Sequence, residues 1–343
     1  MKGHLIKIVG WFLLSVCIIF TGVPRVSFAQ TSAERVEKAK KEGAVNFYFV
    51  WNLSHGQAVA KAFNKKFPSI KVNLYRSGGS SMVNKLVIEA KTGRHDVDVI
   101  IMSDLYWQSL MDRDLIAAYC SPQLSAFPAE FKDRKCLWTV LNINTHVIAY
   151  NTELVPKEAR PKILEDLLDP RWKKGKLVMD TTDERWFTQT LDKMGEERGM
   201  AYMKKLAAQE PQFRRGHTMM LQLLAVGEFP VNVIAYGYQV EYLKKQGAPI
   251  DWSADEPVTS TGGVISLAKH APHPEAAKLF IDFAMSKVAQ EEITKFNRVA
   301  TRVDVPPDPP HLVEGLKMAP VKPELGKILR NRTVQFRKIF GIQ

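Results

Sequence analysis

From residue 33 onward the apolar positions switch between a helical and a strand-like period, and the switches mark out elements. Residues 33–42 read as a helix that ends at Gly43, where a helix C-cap belongs. Residues 44–50 are β-rich and mostly apolar, so a strand is expected, followed by a loop at 51–54. Val59, Phe63 and Phe67 recur at i, i+4 and i+8 and place a helix over 56–67, stopped by Pro68. Residues 70–74 read as a second strand, 76–81 (RSGGSS) as a loop, 82–91 as a helix, and 97–102 as a continuous apolar strand. Parallel strands need crossovers and are apolar on both sides, so this β-α-β-α-β series predicts a parallel sheet with helices on both faces.

The pattern changes at 140–150, a long β-rich stretch with Asn and Thr that reads as a strand crossing from one lobe to another. Beyond it lie helices expected at 163–168, 187–194, 200–208 and 218–226, and strands at 176–179 and 231–236. Residues 258–267 read as a return crossing, and 274–283 as an amphipathic helix. The resulting fold class is α/β and two-lobed, each lobe a mostly parallel sheet flanked by helices, the two joined by two hinge strands. The expected division is 1–29 signal peptide, 30–141 plus 260–300 first lobe, and 142–259 plus 301–343 second lobe. Pro306, Pro307, Pro309 and Pro310 predict an extended linker. The 317–343 tail carries seven basic residues and one acid; it reads as a helix laid on the second lobe, or alternatively as a docking surface.

The first 29 residues carry Lys2 and Lys7, an apolar run and then Ser27-Phe28-Ala29, the pattern of a secretory signal peptide cleaved near Ala29. A periplasmic, water-soluble mature chain starting at Gln30 is expected; lipidation at Cys17 is the alternative. Net charge is +12, and removal of Lys2, Lys7 and Arg25 leaves an excess of nine basic residues, which favours anionic partners. No basic-aromatic module accompanies it, so nucleic acid is not an expected partner. Cys120 and Cys136 are the two mature cysteines, and an oxidising compartment lets them pair, with two buried thiols as the alternative.

No nucleophile elbow, zinc-protease helix, dinucleotide fingerprint, phosphate-binding P-loop or CxxC is present. A binder without cofactor, metal or catalytic residues is therefore expected; an exported enzyme or a sensory subunit remains the rival from another class. Open α/β sheets take ligands beyond the carboxyl ends of their strands. Four segments converge there by this logic: the loop with Trp51 and Asn52, the loop with Ser77, Gly78, Gly79, Ser80 and Ser81, the pair Ser103-Asp104, and Tyr236-Gly237-Tyr238. The serine-glycine loop leads into a helix and suits an anion, although N-capping by Ser80 or Ser81 would explain the serines equally. Arg215, beside Arg214 ahead of a helix, and Thr181 after a strand are the second lobe's further candidates, although a solvated loop with one arginine in a surface pair would explain the arginines equally.

At these residues the chain resembles the family 1 extracellular solute-binding proteins of ABC importers, in the branch that includes ferric-ion-binding proteins. The resemblance rests on Val50-Trp51-Asn52, Asp96-Val97-Asp98-Val99, Ile148-Ala149-Tyr150-Asn151-Thr152, the 166–176 segment DLLDPRWKKGK, Gly227-Glu228 and the 271–283 segment APHPEAAKLFIDF. It implies a monomer whose lobes close on a small ligand and which docks to an inner-membrane permease. The iron-binding members resemble one another in a histidine, a glutamate and two adjacent tyrosines; here Asn52, Ser81 and Gly237 stand at three of those positions, and only Tyr238 remains. Tyr236 would restore a second phenolate only after a change of register. The expected ligand is a small organic anion, a carboxylate or phosphonate, with ferric iron as the alternative.

Overall fold

The computed structural model describes residues 32–319 and 322–342. The expectations for residues 1–29, including cleavage near Ala29 and lipidation at Cys17, lie outside the described residues. In the first part of the chain, α1 (Ser32–Glu42), β1 (Ala44–Phe49), α2 (Leu53–Lys66), β2 (Lys71–Arg76), α3 (Gly79–Lys91), β3 (Val99–Ser103), α4 (Asp104–Met111) and β4 (Ile116–Ala117) follow in order. β5 (Thr139–Asn151) leads into β6 (Leu177–Asp180), α5 (Glu184–Met194), α6 (Glu196–Ala207), β7 (Gln212–Arg214), α7 (His217–Ala225), β8 (Val231–Tyr236), α8 (Gly237–Lys245) and β9 (Ile250–Ser253). β10 (Ser260–Ala268), α9 (Pro274–Ala284), α10 (Lys287–Thr294), β11 (Val299–Ala300) and α11 (Leu329–Phe340) complete the chain.

The strands run in the spatial order β2-β1-β3-β10-β5-β8-β6-β7, with β4 on β10 and with β9 and β11 on β5. β1 pairs parallel with β2 and β3, and β6 pairs parallel with β7 and β8. All five residues of β3 are buried, as the unbroken apolar run predicts for a strand covered on both faces. β5 is the crossing strand: Thr139 to Thr145 pair antiparallel with β10, while His146 to Asn151 pair with β8 and β9. One strand thus belongs to both halves. The return passes through Thr259, whose carbonyl accepts the His146 amide at 2.9 Å.

Each half has its own apolar packing. Phe47, Phe49, Phe63 and Phe280 lie in one buried cluster beneath α1, α2 and α9, and Trp186, Phe187, Tyr202 and Phe336 lie in another. The tail helix α11 rests on the second lobe as its apolar positions predict, with Phe336 fully buried 5.7 Å from the Phe187 ring. The segment before it lies on the first lobe: a Cβ on Gly326 would stand 2.3 Å from the Leu105 carbonyl, so only glycine permits that approach to α4. Cys120 and Cys136 are joined in a disulfide. Among the described residues no helix is long and apolar enough to cross a membrane.

Several elements differ from the periodicity reading. The 163–168 helix is a 3-10 segment, Leu164–Leu168. α4 and α8 begin directly at strand ends that read as loops, because each helix starts at the residue after its strand with no intervening turn to mark the change of period. α3 starts at Gly79 rather than at residue 82; Gly78 is its N-cap, with φ −73° and ψ 159°, and no side chain caps it. The serines therefore sit inside the first turn, which removes N-capping as their explanation.

Candidate functional site

The strand ends open onto one cleft between the lobes, about 1520 Å³ including its solvent-open part. On the first-lobe side β1 delivers Trp51 and Asn52, β2 delivers Arg76, and β3 delivers Ser103. Among the described residues the buried Trp51 Nε1–H has no partner, and neither does the buried Ser103 hydroxyl. Arg76 Nε donates to the Trp51 carbonyl at 3.2 Å. The Gly78, Gly79, Ser80 and Ser81 turn lines the cleft at the start of α3, where uncapped amides and the helix dipole favour negative charge. A Cβ on Gly79 would lie 2.3 Å from the Tyr106 ring, so glycine lets Tyr106 of α4 close over this turn.

On the second-lobe side β6 ends at Asp180, and Thr182 rather than Thr181 faces the cleft. Asp180 accepts from the Thr182 amide and hydroxyl at 2.8 and 2.7 Å and from the Gly216 amide. Asp183 accepts the Asp180 amide and lies 3.2 Å from His217 Nε2. Burial acts against protonation of His217, but the charge and hydrogen bond of Asp183 prevail and raise its pKa above the ordinary histidine value. Arg214 turns away to Glu228 at 2.8 Å, whereas Arg215 lines the cleft beside Gly216, whose φ of +103° starts α7.

Of the residues expected from sequence, Trp51, Asn52, Gly78, Gly79, Ser80, Ser81, Ser103, Arg215, Tyr236 and Tyr238 come together in this lining, and Ser77, Asp104 and Thr181 stand outside it. Asp104 turns inward: it is 1% exposed, its Oδ1 accepts the Leu105 amide, and burial pushes its carboxyl up to about 6.

Arg298, which the sequence reading missed, is a buried cation on the cleft wall. It is 3% exposed. Its Nε donates to His55 Nδ1 at 2.7 Å, one terminal nitrogen to the Asn144 side-chain Oδ1 at 3.0 Å, and the other to the Tyr238 hydroxyl at 3.0 Å. The guanidinium also lies over the Tyr238 and Trp51 rings, 4.5 and 5.3 Å from their centroids. Burial and the nearby guanidinium drive the His55 pKa down to about 2, so this histidine is a neutral acceptor. All three acceptors are thus uncharged, and no carboxylate among the described residues forms an ion pair with Arg298. Arg185, also missed, donates to the Tyr236 hydroxyl at 2.9 Å and lies over the Tyr106 ring. No local signal separates these two arginines from the chain's many others; only the fold brings them here.

Residues 96–323 match the family model described as bacterial extracellular solute-binding protein. A periplasmic protein of Salmonella typhimurium named for 2-aminoethylphosphonate binding is 26% identical over 289 residues, 79% of this chain and 82% of its own length. Iron uptake protein A1 of Synechocystis is 24% identical over 312 residues, 84% of this chain and 81% of its own. Among solved structures, AfuA of Actinobacillus pleuropneumoniae with fructose-6-phosphate bound has a TM-score of 0.78 at 24% identity, covering 88% of this chain and 99% of its own. Iron-bound HitA of Pseudomonas aeruginosa has a TM-score of 0.77 at 20% identity, covering 86% and 99%. With this fold and this cleft, the chain belongs to the bacterial extracellular solute-binding protein family and is a solute-binding protein of the ABC-importer type.

Proposed function

We propose that the protein captures a small organic anion, a carboxylate or phosphonate, between its lobes in the periplasm and delivers it to an inner-membrane permease. The observation that carries this reading is Arg298: a buried guanidinium on the cleft wall with only neutral acceptors around it. Burying a cation costs several kcal/mol unless an opposite charge or a full set of hydrogen bonds meets it, and three of its five N–H donors are engaged by the protein. A ligand anion completes the set. Arg76, Arg185 and Arg215 add positive charge to the same walls. A ligand held by both lobes stabilises the closed state that it contacts twice. The Salmonella relative named for a phosphonate and the neighbour with a bound sugar phosphate support an anionic ligand.

The ferric alternative fits the cleft poorly. The Tyr236 and Tyr238 hydroxyls each accept from a guanidinium, at 2.9 and 3.0 Å, and a trivalent cation on those oxygens would face both positive charges at close range. Nor does position 237 admit the missing tyrosine, because a Cβ there would stand 2.7 Å from the Thr145 hydroxyl. Mass spectrometry of the small molecules retained through mild purification tests the proposal. An organic anion is expected, and calorimetry with that compound should give binding without turnover; retention of a neutral or cationic solute, with no anion bound, overturns the reading.

A further inference from the structure

Arg298 and Arg185 stand at the two ends of a tyrosine pair. Arg298 comes from the first lobe, next to β11, and binds the Tyr238 hydroxyl; Arg185 comes from α5 of the second lobe and binds the Tyr236 hydroxyl. The two rings are nearly parallel, 17° between planes, with centroids 6.2 Å apart. Each guanidinium is also fixed over an aromatic face, Arg298 over Trp51 and Tyr238, Arg185 over Tyr106. Two like charges so placed repel, and an opposite charge brought to each stabilises it.

The nearby carboxylates form no salt bridge with either arginine among the described residues, although the charges of Glu184 and Asp104 favour the Arg185 cation. Glu184 takes the Tyr106 hydroxyl, Asp180 takes the Gly216 amide and Thr182, and Asp183 takes His217 and the Asp180 amide. Asp104, buried near Arg185, keeps one oxygen on the Leu105 amide. Among the described residues none of these forms an ion pair with either arginine. Donors without partners among the described residues also lie at both ends: the buried Trp51 Nε1 and Ser103 hydroxyl of the first lobe, and Arg185 Nε of the second. Each lobe moreover aims one helix start at the cleft, α3 after Gly78 and α7 after Gly216, neither capped by a side chain.

We infer that the ligand is a bis-anion, two anionic groups on one small skeleton, one seated on each lobe with Arg298 and Arg185 as the opposed anchors. This rests on the reading that the cleft takes an organic anion. A monoanion satisfies one lobe and gives little bias toward closure, whereas a bis-anion ties the lobes together. A phosphonate that carries an ammonium group places its cation against the second arginine and is rejected.

Titration calorimetry on the mature protein tests this with phosphonoacetate, 3-phosphonopropionate and glutarate set against methylphosphonate, butyrate and 2-aminoethylphosphonate. The tightest bis-anion should bind at least about tenfold more strongly than its matched monoanion, the effect of one hydrogen bond to a charged group. Arg185→Gln should bring phosphonoacetate down to the level of methylphosphonate, the loss of one hydrogen bond to a charged group. Circular dichroism checks that the variant folds, and the comparison of probes in the parent protein needs no variant. Methylphosphonate or 2-aminoethylphosphonate binding as tightly as every bis-anion overturns the inference while the organic-anion reading stands. Binding by no anion in the panel overturns both.

Discussion

Arg298→Met removes the buried charge while keeping most of the side chain's volume, and it separates a ligand role from a structural one. In the ligand-free protein two effects oppose. Three hydrogen bonds from a charged donor, to His55, Asn144 and Tyr238, are lost, at about 1.5–3 kcal/mol each. Relief of an unpaired buried cation returns several kcal/mol. The two terms are of similar size, so ligand-free stability should change by a few kcal/mol at most, in either direction. Binding has no such compensation, because a hydrogen bond to a charged group contributes roughly 1.5–3 kcal/mol and its loss weakens affinity about ten- to hundredfold. At a ligand concentration of 100 Kd the parent gains about 2.7 kcal/mol of stability, and a variant weakened a hundredfold gains about 0.4 kcal/mol at the same concentration. Thermal melts with and without the anion that purifies with the protein read both quantities together. A variant that melts far below the parent without ligand, yet keeps the full ligand-induced shift, would show Arg298 to be a structural strut, and the reasoning would fail.

Ser81→Glu places a carboxylate in the exposed first turn of α3, where acids are welcome to the helix; folding should persist and anion binding should be abolished by calorimetry, and unchanged affinity would move the anion to the Arg215 side. His217 is held protonated above the ordinary histidine range by Asp183, against its burial and the Arg185 charge. The cation is thus present below pH 6.5 and is lost as pH rises through the raised value, so binding of a carboxylate probe should weaken on the alkaline side of 6.5 and His217→Gln should flatten that profile. Cys120 and Cys136 are 16 residues apart, and replacing both with serine should cost about 3 kcal/mol in the chain-entropy view, read as a fall in the denaturation midpoint; free thiols found by alkylation in the unreduced, denatured protein would contradict the bridge. Ferric citrate should produce no visible phenolate band, and a red protein that loses its colour in Tyr238→Phe would restore iron as the ligand.

Apolar periodicity reports which face of a segment is buried, and that is a local property. It sufficed for the run 97–102 as the buried strand β3, for 140–150 as the crossing strand β5, and for the apolar positions that seat α11 on the second lobe. The rule that ligands sit beyond strand ends then brought Trp51, Ser103, Tyr236 and the 78–81 turn to one cleft before any coordinates. Helix starts that follow a strand with no intervening turn were not legible in the same way, which is why α4 and α8 read as loops. The arginines were beyond reach for a different reason. Whether a guanidinium is a solvated surface charge or a buried anchor depends on its partners, and those of Arg298 lie 243, 154 and 60 residues away in sequence. Paired Arg214 and Arg215 look equivalent in sequence, yet Glu228 draws one away and leaves the other in the cleft. The sequence by itself determined the layers, the hinge and the strand ends that bear the site; only the tertiary structure decided which charges meet there uncompensated, because the balance of burial and counter-charge is set by contacts that no local window contains.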